Sequence, residues 1–165
     1  MKRYAPHRPF PPYTYVPGQR PHPFSDPQGH SFRQQRTQPG SIDWHTGKNN
    51  EEFRYAVDLF NHGYYWEAHE AWEGLWVAVG RKGPLADLLK GFIHLAAAGV
   101  KQLAGIPAGV RSHLQRAKQL FHHVQMVQAN KALHLGCNLQ KLMQTISEYP
   151  QDNPAVSTVV ELDDQ

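Results

Sequence analysis

The residues best suited to chemistry lie between positions 67 and 76, where carboxylates and a histidine alternate with aromatic side chains. The segment reads Glu67-Ala-His69-Glu70-Ala-Trp72-Glu73-Gly-Leu-Trp76. On a helix, Glu73 is within reach of His69 at i+4 and of Glu70 at i+3. One imidazole and two carboxylates on one helix could bind a metal ion or transfer protons.

Helical spacing also predicts which side of this segment is buried. Positions 65, 69, 72 and 76 share one face, which we expect to pack inward and to carry His69 with it. Glu67 lies further round the helix, and we expect it to point towards solvent. The result is a half-buried cluster of His69, Glu70 and Glu73 walled by indoles. The residues predicted to contact a ligand beside it are Tyr65, Trp66, Trp72 and Lys101.

Two interpretations of this cluster stay open. In a metal or catalytic site, Glu70 and Glu73 act as carboxylate ligands or base, and His69 acts as ligand or proton shuttle. The cofactor is then a divalent metal ion, with His94 as a fourth ligand and His113 available from the next helix. In a structural network, the same groups hydrogen-bond indole N–H groups and Lys101. The balance favours the network, because the sequence lacks H-x-x-x-H, C-x-x-C and a paired Glu-x-x-His.

The remaining histidines have simpler interpretations. His94 shares a helical stripe with Asp87, Lys90 and Lys101, which favours a solvated face over a buried ion pair between Lys101 and the glutamates. His22 and His30, in Pro-His-Pro and Gly-His-Ser, favour turn chemistry over closure of the cluster. His122 and His123 are expected at an exposed helix end.

Five helical segments position these residues. Asn49 or Asn50 caps the first helix, which Gly63 ends, and apolar spacing of three and four predicts the others. These cover about residues 64–79, 84–104, 107–129 and 138–149, the last followed by Pro150. Leu103 and Val127 are placed in apolar seams. The predicted fold is all-α, a compact bundle of about five antiparallel helices.

The first 46 residues differ from the rest in composition. Residues 1–40 hold 9 of the 13 prolines and carry six Lys/Arg against one Asp. Prolines oppose helix, so we expect an irregular basic arm, with Phe10, Tyr15 and Phe24 among its anchors on the bundle. The predicted organisation is an arm at 1–46 partly ordered on the domain, a helical domain at 47–149 and a tail at 150–165.

Composition also restricts partners and location. Residues 1–40 carry a formal charge of +5 and residues 41–165 carry −2, so the basic balance belongs to the arm and disfavours a nucleic-acid-binding domain. The arm arginines that could still contact phosphates are Arg3, Arg8, Arg20, Arg33 and Arg36. Cys137 is the single cysteine and is expected in the core. We predict a cytoplasmic protein with no signal peptide, no membrane span and an unknown small-molecule or protein partner, and leave a homo-oligomer open.

The segment around the cluster resembles a known family. The pattern is Phe60-Asn61-x-Gly63-x-Tyr65-x-Glu67-Ala-His69-Glu70-x-x-Glu73-x-x-Trp76. With Gly91-Phe-Ile-His94 and Gly105-x-x-x-Gly109, it is similar to domain of unknown function 309 over about residues 50–145. The resemblance implies a compact all-α fold and carries no established activity. His94 departs from the family, in which glutamine is common at this position.

Overall fold

The computed structural model describes residues 1–35, 39–131, 134–149, 156 and 158–163. Within these ranges the chain forms helices and no strand, so the predicted all-α fold is confirmed. The five α-helices are α1 Glu51–Asn61, α2 Tyr65–Ala78, α3 Pro84–Leu103, α4 Pro107–Val127 and α5 Leu139–Ser147. Pro150 lies outside the described residues.

Local sequence explains where the first two helices begin and end. The Asn50 side chain accepts a hydrogen bond from the Phe53 amide and caps α1, whose first turn holds Glu51 and Glu52. Gly63 has φ +83° and Gly80 has φ +80°, a conformation that suits glycine. These two turns bracket α2 and so fix the position of the cluster.

Helix α3 is the centre of the bundle, since it packs against both α2 and α4. Close approach depends on glycine, because a Cβ at Gly91 would meet the Phe121 ring at 2.4 Å. Trp72 and Phe92 are fully buried and stack with ring centroids 5.1 Å apart. The predicted burial of Leu103 and Val127 is wrong: they are 37% and 48% exposed, since each is the last residue of its helix.

The N-terminal arm contacts α1 through a buried carboxylate. Asp58 is fully buried and accepts hydrogen bonds from the amides of Tyr4 at 2.7 Å and Ala5 at 2.8 Å. Arg3 Nε lies 3.5 Å from the same carboxylate. Further along, Phe10 stacks on Tyr64 with ring centroids 4.9 Å apart. The division of the chain into arm, domain and tail stays a prediction.

Part of the C-terminal tail also lies on the helices. Asn61 donates to the Val160 carbonyl at 2.9 Å and accepts from the Val160 amide at 2.8 Å. The Leu162 amide donates to the Tyr4 hydroxyl at 2.9 Å, so arm and tail meet. Val159 is 42% exposed and does not share in this packing.

The longest helices are α3 and α4, with 20 and 21 residues. Charged and polar side chains interrupt both of them. Among the described residues, no helix is both long enough and apolar enough to cross a lipid bilayer.

We expect Asp58→Asn to lower the free energy of unfolding by about 1–3 kcal/mol, because an amide nitrogen would replace one of two acceptor oxygens facing buried N–H groups. Urea unfolding measures this loss, and amide exchange at Tyr4 and Ala5 should accelerate. Glu51→Gln is the control, since that side chain is 62% exposed and pairs with the exposed His7. Equal stability of Asp58→Asn and wild type would contradict the anchoring role.

Candidate functional site

His69, Glu70 and Glu73 meet on α2, partly exposed. His69 Nδ1 lies 3.8 Å from Glu70 Oε1 and 3.8 Å from Glu73 Oε2. One ligand atom from each of the three residues lies within 4.8 Å of the other two. The side chains are 29%, 19% and 43% exposed respectively, so the group is half-buried as predicted.

The spacing of these atoms is close to that of a metal site. Ligand atoms about 2.0–2.2 Å from a shared ion lie roughly 3.0–3.4 Å apart in tetrahedral or octahedral geometry. The two 3.8 Å distances must therefore shorten by about half an ångström, and any separation near the 4.8 Å limit by more than an ångström, which rotations of both the Glu70 and the Glu73 side chains can supply. Imidazole with two carboxylates suits Zn²⁺, Mn²⁺ or Fe²⁺.

Two of the groups expected to take part in a structural network lack hydrogen bonds within the described residues. His69 Nδ1 and Trp72 Nε1 are both buried and lack a hydrogen-bond partner there. Lys101 makes no ion pair in that part of the chain, and its side chain instead lies where a Cβ on Gly109 would meet it at 2.8 Å. An unpartnered imidazole nitrogen near two carboxylates is a donor set that a divalent metal ion can bind.

The four residues predicted to contact a ligand lie in different places. Trp66 packs against the arm, with its indole 5.1 Å from the Tyr15 ring. Tyr65 donates to the Val156 carbonyl at 3.2 Å, and burial raises the pKa of its hydroxyl. Trp72 is enclosed by the core, where it cannot touch a cavity ligand. Only Trp66 of the four borders the cavity described below.

The prediction that Glu67 points to solvent is wrong. The residue is 7% exposed, because the arm covers it. Its carboxylate accepts the Tyr15 amide at 2.8 Å and the Thr14 hydroxyl at 3.1 Å. His30 Nε2 lies 3.4 Å from the same carboxylate. Glu67 is therefore an anchor for the arm, as Asp58 is on α1.

A cavity of about 720 Å³ lies between the arm and helices α1 and α2. Small-molecule sites commonly have about 300–1,000 Å³. Glu70 and Glu73 line it, so two of the three residues of the cluster lie at its wall. The other acidic, basic and aromatic lining residues are Glu52, Glu67, Arg8, Arg81, His30, Phe24, Tyr55 and Trp66.

The cavity depends on a stripe of small residues that sequence analysis did not single out. Ala71, Gly74 and Ala78 follow Glu67 on one face of α2 and line the cavity. A Cβ on Gly74 would lie 3.3 Å from the Pro39 ring of the arm. In the sequence, a helical face of small residues together with a proline-rich segment could have indicated this groove and its cover.

His94 lies in a second group rather than with the three ligand atoms. Its Nδ1 is 3.1 Å from Nδ1 of His113 on α4. Burial lowers the pKa of His94, and charges on His113, Arg116, Lys90 and His69 lower it further, to about 4. Burial also lowers the pKa of His113, followed by charges on Arg116, Lys101 and His69.

The other predicted residues are also placed by the structure. His22 accepts the amides of Phe24 and Ser25 at 3.2 Å, the predicted turn chemistry. His122 and His123 are exposed, as predicted. Cys137 is 2% exposed, which confirms a core thiol, and burial raises its pKa. Arg36, among the arm arginines that could contact phosphates, lies outside the described residues.

Residues 53–113 match the family model described as Domain of unknown function (DUF309). This segment covers most of α1, all of α2 and α3 and the start of α4, and over these residues the family assignment made from the motif is confirmed. No curated protein matches the chain.

Glu67→Gln should loosen the arm over the cavity, because the amide nitrogen would face either the Tyr15 amide or the Thr14 hydroxyl. We expect a loss of about 1–3 kcal/mol in the free energy of unfolding and faster amide exchange at Tyr15. Glu161→Gln serves as the exposed control, with 62% of its side chain accessible. Unchanged exchange at Tyr15 would show that Glu67 does not hold the arm.

The stability of the protein should rise with pH between about 4 and 6.5, where unfolded His94 binds a proton and folded His94 does not. Since its pKa is lowered on folding, the stability it contributes is lost as pH falls through this window. After solvent screening, the loss for His94 and His113 is on the order of 1 kcal/mol. Urea unfolding in EDTA should show a flatter profile for His94→Gln/His113→Gln. The pH dependence of the free energy of unfolding should be retained in His122→Gln/His123→Gln. Equal pH dependence in wild type and both double variants would show that His94 and His113 are not its source.

Proposed function

Because residues 53–113 belong to a helical family of unknown function, we propose a function from the site itself: the protein binds a divalent transition-metal ion through His69, Glu70 and Glu73. The ion would act on a small polar molecule in the adjoining cavity. The observation that carries this proposal is the convergence of one imidazole nitrogen and two carboxylate oxygens within 4.8 Å.

Each residue has a defined part in this proposal. His69 Nδ1 supplies the nitrogen ligand, and its burial without a partner supports that part. Glu70 and Glu73 supply oxygen ligands, and either carboxylate could take a proton from bound water. The ion, when bound, would act as a Lewis acid and lower the pKa of that water.

The cavity supports a substrate site beside the ion. Three protein ligands leave coordination positions for water or substrate, as catalytic metal sites require. Glu70 and Glu73 reach both the ion position and the cavity wall, so a cavity molecule would meet the open side of the ion. Trp66 and Tyr55 offer aromatic surface for it. Hydrolysis is the reaction class that best fits an ion that acts as a Lewis acid and activates water.

The second candidate is a binding module without chemistry. Its support is the same cavity of about 720 Å³, covered by an arm that Glu67 holds in place. In this case Glu70 and Glu73 would contact the ligand directly, and no ion would be required. The two candidates differ in whether purified protein contains metal.

We expect protein prepared without a histidine tag to contain about one equivalent of Zn, Mn or Fe by elemental analysis. Glu70→Gln/Glu73→Gln should remove it, since neutral amides are weak ligands. The matched control Glu51→Gln/Glu161→Gln removes the same charge from side chains that are each 62% exposed, and should retain the metal.

Thermal unfolding separates the candidates further. Added metal should raise the midpoint of wild type in proportion to the logarithm of its free concentration, and the rise should be much smaller in the double variant. Metal-free wild type whose midpoint ignores Zn²⁺, Mn²⁺ and Fe²⁺ would contradict the metal site and leave the binding module. In a structural network, Glu70→Gln alone would cost about 1–3 kcal/mol in EDTA, whereas a metal site predicts no loss.

A further inference from the structure

His94 and His113 form a pair that the proposed metal site does not use. They project from α3 and α4 towards each other, with their Nδ1 atoms 3.1 Å apart and ring centroids at 5.3 Å. The rings are inclined at 35°. Without a metal ion, this distance is a hydrogen bond in which one Nδ1–H donates to the other Nδ1.

The same distance suits two imidazoles bound to one ion. Two metal–nitrogen bonds of about 2.0–2.1 Å across this gap enclose an angle of roughly 100°. That angle lies between the values for square-planar and tetrahedral coordination. We infer that His94 and His113 form a second metal site, a bis-imidazole chelate for Zn²⁺, Cu²⁺ or Ni²⁺ that bridges α3 and α4.

Binding needs little rearrangement. The hydrogen bond between the two Nδ1 atoms must break. Each ring then rotates until its Nδ1 lone pair points to a shared metal position between the helices. The proton that occupied one Nδ1 moves to Nε2 of the same ring, so both imidazoles stay neutral and the reaction releases no proton. Because α3 and α4 already pack closely, the backbone is preorganised for this chelate.

The surrounding charges limit the affinity of this site. Arg116, Lys90, Lys101 and His69 act electrostatically on one or both histidines and would repel a dication. The same cations would favour an anionic co-ligand, such as chloride or a carboxylate, on the remaining coordination positions. The pair should therefore bind more weakly than a three-ligand site. It shares no ligand with His69, Glu70 and Glu73, so its existence does not depend on the proposed function.

Calorimetric titration with Zn²⁺ tests the site in tag-free Glu70→Gln/Glu73→Gln protein, where the first site is disabled. We expect about one equivalent to bind. Adding His94→Gln/His113→Gln should weaken binding at least about tenfold. The matched control His122→Gln/His123→Gln also removes two of the 11 histidines, but both are exposed. It should leave the affinity within about twofold.

No Zn²⁺ binding in the Glu70→Gln/Glu73→Gln protein, or equal losses in the two histidine variants, would overturn the inference. Should the His94→Gln/His113→Gln protein fail to fold, Cu²⁺ electron paramagnetic resonance of the Glu70→Gln/Glu73→Gln protein decides instead. Coupling to two imidazole nitrogens that falls to one in His113→Gln supports the pair, whereas no change in His113→Gln overturns it. A different result would show that only the proposed site at His69, Glu70 and Glu73 is wrong. In that case the metal content of purified protein would be the same in wild type and in Glu70→Gln/Glu73→Gln.

Discussion

Two buried carboxylates hold the N-terminal arm against the helices, and the cavity depends on both. Asp58 on α1 and Glu67 on α2 each accept backbone amides from the arm. A carboxylate buried without such donors would lose several kcal/mol of solvation. The arm in turn has irregular backbone whose N–H groups need acceptors. Each partner thus makes the other's burial favourable, so arm and helices are stable together.

Helix α2 therefore has two faces with different contacts, one towards the arm and one towards α3. On one side, the small residues Ala71 and Gly74 admit the arm and leave the cavity in front of the glutamates. On the other, α2 packs on α3, where His94 and His113 pair across to α4. Gly74 costs roughly 1 kcal/mol of helix propensity, which the close approach of Pro39 explains. The His69 cluster lies between these sides, partly shielded from water and still open.

Much of the fold followed from local signals in the sequence. Asn50, Gly63 and Pro84 mark helix boundaries through backbone chemistry that acts within a few residues, and apolar spacing located the bundle. The grouping of His69, Glu70 and Glu73 was equally local, since all three lie on one helix. The role of Glu67 could not be predicted from local sequence, because its hydrogen-bond donors are 52 and 53 residues away in an arm without helical periodicity. The pairing of His94 with His113 depended likewise on the register of α3 against α4.

The contact between Tyr4 and Leu162 links positions 158 residues apart and has a consequence for synthesis. The arm leaves the ribosome before the helices, its acceptors Asp58 and Glu67 follow about fifty residues later, and Leu162 follows after the helices. Loop-closure entropy opposes such distant contacts until the helices between them are formed. Tyr4, Phe10 and Val16 therefore stay exposed to solvent until the helices have folded. The arm orders after the bundle, and until then it is accessible to chaperones and proteases.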